Sequence, residues 1–473
     1  MSPPIVKPSD ARAWAECARR VWLDNKGDFE EGPVDEFDQL VIKLGLAHEQ
    51  AVRGRLSSEF AVHEAESVAD TARLMEVGVD IIYQAQLFDE ENGFIGYPDF
   101  LIRDEIGSYQ PADAKLSLSE AKKEIQVQLG FYRRMLGTEL SGIVFLGDGS
   151  EALIGDEANA VTNQFIAEMR VILDSPDEPL VRYSHSKCRA CPYYDHCKPG
   201  FVEKEELSLL YGVQGRAAAG LEALGIDTIS RLAATDPGGI ADVPYLKGSK
   251  KDRAVLQAKS WFDGKVYQFG DVVLPGGQWV HFDIEDNPLT ASGEKHVYLW
   301  GFLVPDYGDD QFETVWTDSD DQDYDGWLGF LERVEGYRAR YPELVLAHYS
   351  SHERSTITFY ARRYGMEEHE TVRYLLGDDG PLFDLQKPVL ESLVLPLQAY
   401  GLKDICKHPD LVDFQWQDEE SGSQWSVVQF HRFLQEEDGE ERAALKDAIL
   451  GYNRDDVKAT YYLERWLRAQ FVH

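Results

Sequence analysis

The sequence predicts an α/β protein in about three parts. Three observations carry that expectation. At 473 residues the chain is too long for one ordinary core. Helical periodicity alternates with short apolar runs over residues 1–200 and again over 266–473, with polar motifs near the expected strand ends. Between them, residues 201–265 hold short helical patterns broken by Gly225, Pro237-Gly238-Gly239 and Gly248.

In the N-terminal part, Ser9–Leu23 is expected to be helical, because Trp14, Cys17, Val21 and Trp22 fall on neighbouring turns. A second helix is expected over Phe37–Leu56, carrying Gly45 and His48. Strand-like runs follow at Ile81–Leu87, Gly96–Arg103 and Tyr109–Lys115, then a helix over Ser119–Leu136 and an apolar strand at Ser141–Leu146. In the middle, GGIADVPYLKGSKKDRAVLQAKSW resembles a helix-hairpin-helix unit, whose turn backbone and lysines grip phosphates. That assigns nucleic-acid contacts to Lys250 and Lys251; a small helical linker is the other reading. In the last part, WVHFDIED, HVYLWGFLV and FETVWTD read as three successive strands. A helix around Gly326–Tyr341, the strand ELVLAHY, the helix SHERSTITFYARRYG and the final helix YNRDDVKATYYLERWLRA follow. Three antiparallel-style strands and then alternating helix and strand is the order of an RNase H-like fold.

The charge balance is unusual: 84 acidic against 47 basic residues, a net charge of −37. Alone, this argues against nucleic acid, since lysine and arginine normally neutralise a phosphate backbone. Divalent metal sites nevertheless need carboxylates, and the bound ions then present positive charge to phosphate. So acidic a surface also suits a protein living in high salt, where screening removes most long-range repulsion. Nothing approaches the ~20 apolar residues of a membrane span, and MSPPIVKPSD shows no secretory pattern. The expectation is a cytoplasmic protein without a membrane partner.

Asp99 lies in GYPDFLIR and Asp113-Ala114-Lys115 in QPADAKLS. A hairpin would bring Asp99 beside Asp113 and Lys115, as phosphodiester hydrolysis requires. Two carboxylates hold a divalent metal, and the lysine orients or deprotonates the attacking water and offsets developing charge. Gln128 and Tyr132 stand one helical turn apart, and KLGLAHEQ puts His48 and Glu49 on a helix after a glycine. A helical histidine after glycine, an Asp, a (D/E)-x-K and a Q-x-x-x-Y, in this order, resemble the RecB-family nucleases of the PD-(D/E)-x-K type over residues 9 to about 200. The resemblance implies a restriction-endonuclease-like domain with His48, Asp99 and Asp113 as metal ligands and the Ala114 carbonyl as a further one. It makes Lys115 the catalytic lysine, and Gln128 and Tyr132 the residues that position DNA.

Five cysteines are few for this length, and four are spaced informatively. Cys188, Cys191 and Cys197 lie in KCRACPYYDHC, and Cys17 lies far upstream in WAECARRVW. In a cytoplasmic chain such close spacing points to a metal or cluster site rather than disulfides. One early cysteine plus a late C-x-x-C-x5-C resembles the iron–sulfur staple of AddB-type and CRISPR-associated RecB-family exonucleases. The resemblance implies a 4Fe–4S cluster on the four thiolates, which would tie the ends of the 1–200 domain together; zinc on the same ligands is the alternative. Cys406 stands apart and reads as a packed residue.

VHFDIED puts Asp283 and Glu285 on the same side of one strand, which is how a strand supplies two ligands to a two-metal site. Glu353 opens a helix after a later strand, and Tyr452 and Asp456 share a helical face. The motifs D-x-E, H-x-x-x-x-D/E and Y-x-x-x-D together resemble the DEDDy group of RNase H-like 3′–5′ exonucleases over about 275 to 473. This implies two Mg²⁺ or Mn²⁺ ions on Asp283, Glu285, Glu353 and Asp456, with Tyr452 orienting the nucleophilic water. One departure is Glu353, where most such exonucleases use aspartate. A solvated acidic face is the bland alternative, but it does not explain acids at the centre of an apolar strand. Asp384 reads as a supporting acid or a helix cap. Asp321, Asp323, Asp325, Gly326 and Glu332 fit a calcium-loop spacing, but the preceding strand favours an acidic loop capping the next helix.

The sequence therefore predicts a RecB-like nuclease domain with a four-cysteine cluster (1–200), a helix-hairpin-helix-like element (201–265) and a DEDDy exonuclease domain (266–473). The expected function is metal-dependent cleavage or trimming of nucleic acid at two sites, on single-stranded DNA or DNA ends, with RNA as the other polymer. Further basic contacts are expected from Lys122, Lys123, Arg133, Arg134 and Lys247. No Walker A motif is present, so a helicase would be a separate partner. The rival class is a nucleic-acid clamp or assembly factor with silent metal sites.

Overall fold

The computed structural model describes residues 3–26, 35–290, 293–304, 311–417 and 423–472. Its contacts divide the chain into two units: Met1–Val181 with Ala291–Glu294, and Arg182–Thr290 with Lys295–His473. The expected middle element at 201–265 therefore lies within unit 2, as do Cys188, Cys191 and Cys197.

Unit 1 opens with α1 (Ala11–Glu16) and α2 (Ala18–Lys26). The helix expected over Ser9–Leu23 is thus two helices, broken at Cys17, whose backbone is extended at φ −164° and ψ 126°. α3 (Glu36–Ser57) starts on an Asp35 cap that accepts the Asp38 N–H. β1 (Val62–Glu64), α4 (Val68–Val77), β2 (Ile81–Tyr83), β3 (Leu87–Asp89), β4 (Phe94–Gly96), β5 (Phe100–Arg103) and β6 (Tyr109–Ala114) follow. Two expected strands are shorter than the pattern suggested. Ile81–Leu87 is interrupted at Gln84, which has φ +52°, and Gly96–Arg103 is interrupted by the Pro98-Asp99 bend. α5 (Lys123–Leu136), β7 (Gly142–Phe145), β8 (Glu151–Ile154) and α6 (Asn159–Asp174) complete the unit. Six strands form one sheet in the order β1-β2-β5-β6-β7-β8, with β6 parallel to β7 and antiparallel to β5. The inward stripe of α5 and α6 buries Val127, Phe131, Phe165 and Met169 beside α1.

Unit 2 begins with small helices: α7 (His185–Cys188), α8 (Tyr194–Glu203), α9 (Arg216–Ala223), α10 (Ile229–Ala234) and α11 (Ser249–Asp263). Then come β9 (Tyr267–Gln268), β10 (Gln278–Asn287), β11 (His296–Leu303), β12 (Phe312–Trp316), α12 (Asp323–Arg340), β13 (Leu344–His348), α13 (His352–Arg363), α14 (Glu370–Leu376) and β14 (Leu382–Asp384). α15 (Gln386–Ser392), β15 (Leu393–Val394), α16 (Leu402–Cys406), α17 (Ser423–Gln435) and α18 (Gly439–Phe471) end the chain. α18 starts well before the expected Tyr452, because Asp438 caps it by accepting the Glu440 and Glu441 N–H groups.

The main sheet has the order β12-β11-β10-β13-β14, antiparallel between β10, β11 and β12 and parallel from β10 to β13 to β14. One face carries Phe282, Ile284, Trp300 and Phe302 against Trp327 and Phe330 of α12. Each such large side chain, fully buried, stabilises the fold by about 1.5–3 kcal/mol. The alternation of β10 then sends Asp283 and Glu285 to the opposite face, where α17 and α18 pack. Among the described residues, no helix is long and apolar enough to cross a membrane.

Candidate active site

On that face of unit 2, ligand atoms of Asp283, Glu285 and Asp456 all lie within 4.8 Å of one another. β10 supplies the first two and α18 the third. Asn453, on α18 between Tyr452 and Asp456, donates its amide to Asp283 Oδ2 at 2.8 Å and to Glu285 Oε1 at 3.3 Å. Ser426 of α17 donates to Glu285 Oε2 at 2.5 Å, and the buried Tyr298 hydroxyl donates to Ser426 at 3.0 Å. Trp416 Nε1 holds Asp456 Oδ1 at 2.7 Å. Each acid is therefore fixed by an uncharged donor.

Burial and mutual repulsion set their protonation. Burial, then the charge of Asp456, pushes Glu285 up to about 8. Burial, then Asp456, Glu285 and Glu353, holds Asp283 well above the ordinary carboxylate range. Asp456 is raised by burial, against the opposing pull of Lys403, Trp416 and Tyr452. Buried carboxylates this close repel, and a hard divalent cation relieves that repulsion with the oxygen ligands it prefers. The donor set fits Mg²⁺ or Mn²⁺.

Tyr452 stands one turn before Asp456, and its hydroxyl hydrogen-bonds that carboxylate. Lys403 Nζ donates to the same hydroxyl at 3.1 Å. Glu353, the fourth expected ligand, lies outside the converging trio. It is 2% exposed and takes His348 Nδ1 at 3.1 Å. Asp384 accepts the N–H groups of Ser350 (2.8 Å) and Gln386 (2.9 Å), and so acts as a cap and turn anchor. The calcium-loop acids Asp323, Asp325 and Glu332 lie in α12; Asp323 is taken by Tyr364 at 2.5 Å and Arg363 at 3.2 Å.

In unit 1, Asp99 and Asp113 interlock. The Asp99 N–H donates to Asp113 Oδ1 at 3.1 Å, and the Ala114 N–H donates to Asp99 Oδ2 at 2.8 Å. Lys115 Nζ meets Asp113 Oδ2 at 3.1 Å. Burial, then Asp113, pushes Asp99 up to about 8 against the pull of Lys115. For Lys115, burial opposes the charge, but Asp113, Asp99 and Glu49 outweigh it and raise the ammonium above its ordinary value. Tyr132 is 4% exposed and donates to the Tyr97 carbonyl at 3.2 Å; Gln128 lies one turn earlier on α5 and is half-buried.

His48 does not join the two aspartates in a three-donor cluster among the described residues. Its Nε2 is 3.1 Å from the Phe145 carbonyl. The neighbouring Glu49, 9% exposed, accepts from Tyr83 at 2.7 Å and Gln84 at 2.6 Å, and its charge acts on Asp99 and Lys115.

Two expected phosphate contacts are occupied by structural partners. Arg133 is 5% exposed and bonds the Leu140 carbonyl at 2.7 Å and Asp156 at 3.0 Å. Lys251 bonds the Ile240 carbonyl at 2.8 Å and Asp242 at 3.0 Å. Arg134 bonds Asn163 at 2.6 Å, whereas Lys122, Lys123, Lys247 and Lys250 are exposed. Cys17, Cys188, Cys191 and Cys197 are all half-buried, and the first lies in unit 1 and the other three in unit 2. Cys406 is fully buried, as a packed residue should be.

Asn453, Ser426, Lys403 and Trp416 were missed from the sequence, and Glu49 was noted there beside His48 without a role. Asn453 had a local signal, three residues before Asp456 on one helical face. Ser426 and Lys403 had none, because they reach the acids from other elements.

Residues 280–468 match the family model of the RNase H superfamily, so this part of the chain is an RNase H-like domain. A solved structure titled "Crystal structure of SSO0001" aligns with 16% identity and a TM-score of 0.25, over 41% of this chain and 86% of that one. No curated protein matches.

Proposed function

We propose that the protein is a metal-dependent nuclease with two phosphodiester-cleaving centres, acting on single-stranded DNA or DNA ends. The observation that carries this reading is the trio Asp283, Glu285 and Asp456, the first half-buried and the other two buried, converging within 4.8 Å inside an RNase H-like domain. Those three would hold Mg²⁺ or Mn²⁺, with Glu353, whose charge acts on Asp283, as the proposed fourth ligand. When bound, such an ion supplies Lewis-acid charge at the scissile phosphate. Asn453 and Ser426 keep the Asp283 and Glu285 oxygens turned toward one point. Tyr452 offers its hydroxyl oxygen to orient an attacking water.

The second centre is the unit 1 pair Asp99 and Asp113 with Lys115, read as a RecB-like PD-(D/E)-x-K site. Lys115 would orient the water and offset developing charge, and Gln128 with Tyr132 would position the strand. His48 is proposed to serve that site after turning from the Phe145 carbonyl. Cys17, Cys188, Cys191 and Cys197 are proposed to hold a 4Fe–4S cluster, with zinc the competing occupant. Lys250 is proposed as a backbone contact; Lys251 would have to leave Asp242 to serve as one.

The test is incubation of anaerobically purified protein with end-labelled single-stranded DNA and RNA, in Mn²⁺ or EDTA. Wild type is compared with Lys115→Ala and Asp283→Ala. Mn²⁺-dependent products that each substitution partly removes are expected, with DNA preferred. Cleavage of neither polymer by the wild type overturns the nuclease reading and favours a nucleic-acid clamp.

A further inference from the structure

The turn that leads into α11 carries an exposed aromatic residue on a strained backbone. Tyr245 sits at φ +67°, in the left-handed region that a bulky L side chain rarely adopts. Its neighbours impose that conformation. Val243 and Leu246, both buried, exchange backbone hydrogen bonds at 3.3 and 3.1 Å across the turn. Val243 packs so closely on α9 that a Cβ on Gly220 would lie 2.6 Å from the Val243 Cβ. Lys251 Nζ ties the start of α11 back to the Ile240 carbonyl at 2.8 Å. Held by this clamp, Tyr245 is 65% exposed, and among the described residues its ring and hydroxyl have no partner. Neither burial nor a hydrogen bond offsets the strain, and strained residues of that kind cluster at binding and active sites. The charge of the turn is also distinct: residues 243–251 contain three lysines and no acid, in a chain of net charge −37. Lys247 and Lys250 are exposed and, among the described residues, form no ion pair. The nearest acids along the chain are Asp242, which Lys251 holds at 3.0 Å, and Asp252 in the first turn of α11.

We propose that this turn is a docking point for an unpaired nucleic-acid strand, with a base stacked on the Tyr245 ring and the neighbouring phosphates on Lys247 and Lys250. Resting on the nucleic-acid reading above, the assignment adds the feature that selects single strand over duplex. In a duplex the base faces are already covered by their neighbours, so an exposed ring gains a stack only on an unpaired base. Stacking accepts any base, because every base has a π-face, and lysines add attraction that is independent of sequence. The clamped backbone presents the ring ready-made, which lowers the ordering cost of binding.

The test uses the full chain in buffer without divalent ions, and a single-stranded DNA oligonucleotide carrying a base analogue whose fluorescence falls on stacking. Glycine suits the left-handed backbone, so Tyr245→Gly should melt at or above the wild-type temperature. The same variant should bind the single strand about 10-fold more weakly, the scale of one lost base stack. It should also lose the quenching, keep its duplex affinity and leave the salt slope unchanged. Tyr245→Phe keeps the ring and should match wild type in affinity and quenching. Lys247→Gln combined with Lys250→Gln should lower the slope of log affinity against log salt by about 1.4, since each phosphate contact on a single strand contributes ~0.7. Wild-type binding by Tyr245→Gly, an equal loss on duplex, or an unchanged slope in the lysine pair overturns the proposal. So does a wild-type chain that binds no single strand. Cleavage in Mn²⁺ is followed in parallel. A chain that binds through Tyr245 but cleaves neither DNA nor RNA overturns the nuclease reading alone. A chain that cleaves DNA while Tyr245→Gly binds as wild type overturns the docking proposal alone.

Discussion

Gly301 and Asn453 share one space: a Cβ on Gly301 would lie 1.8 Å from Asn453 Oδ1. Gly301 is the β11 partner of Asp283 across the sheet, so the gap opens beside the carboxylate that Asn453 holds. The missing side chain lets α18 approach close enough for one amide to reach both Asp283 and Glu285. Gly301→Ala must push Asn453 away, and the added methyl would also meet Phe312 at 2.9 Å. The expected cost is about 1–3 kcal/mol of stability, the usual range for overpacking, together with weaker Mn²⁺ binding. Denaturant unfolding and Mn²⁺ calorimetry read the two effects. A variant matching wild type in both would mean the close approach does nothing for the site.

The raised carboxyls make a pH prediction with a definite sign. Glu285 is lifted from 4.5 to about 8, and Asp283 is lifted in the same direction. The folded, metal-free protein therefore keeps protons that the unfolded chain has released. Stability is full below the ordinary carboxylate range and falls as pH rises through about 8. A divalent ion must displace those protons, so its affinity rises over the same interval. The rise in melting temperature on adding Mn²⁺ should be larger at pH 8 than at pH 6. Glu285→Gln should flatten the difference. An Mn²⁺ effect independent of pH would show that the trio is already ionised.

Much of this architecture was legible because its signals are local. The acids of β10 stand out by interrupting an apolar alternation, and Tyr452 and Asp456 by helical spacing. The breaks at Cys17 and Gln84 were not legible, since each reverses a pattern that its neighbours continue. Asp438 begins α18 thirteen residues earlier than the apolar spacing alone suggested, through a cap whose partners lie in a charged stretch. Ser426 and Lys403 stayed hidden because a serine or lysine gains meaning only from what the fold places beside it. Arg133 erred the other way: a basic residue on a helix looked like a phosphate contact, and Asp156 and two carbonyls claim it.

For the cysteines, Cys191→Ser is expected to remove bound iron, read by metal analysis and loss of visible absorbance after anaerobic purification. Zinc in stoichiometric amount would replace the 4Fe–4S assignment with its alternative. Wild-type protein free of both metals, and as stable as the variant, would end the cluster proposal.

Lys115 ties charge to stability in unit 1. It pairs with Asp113, which is 1% exposed, and its own charge pulls against the rise of Asp99. Lys115→Met leaves Asp113 without that cation. The cost should fall below the ~3–5 kcal/mol of breaking a fully buried pair, because the lysine side chain keeps 28% exposure. The carboxyl of Asp99 should also rise further above about 8, since its favourable neighbour is gone. In a chain carrying Asp283→Asn, which leaves the unit 1 centre to act alone, the remaining Mn²⁺-dependent cleavage should fall steeply. What survives should shift to more alkaline pH, because a carboxylate with a higher pKa ionises later. A pH–rate profile unmoved by Lys115→Met would separate Lys115 from Asp99 electrostatically and remove the physical basis for a lysine-assisted centre there.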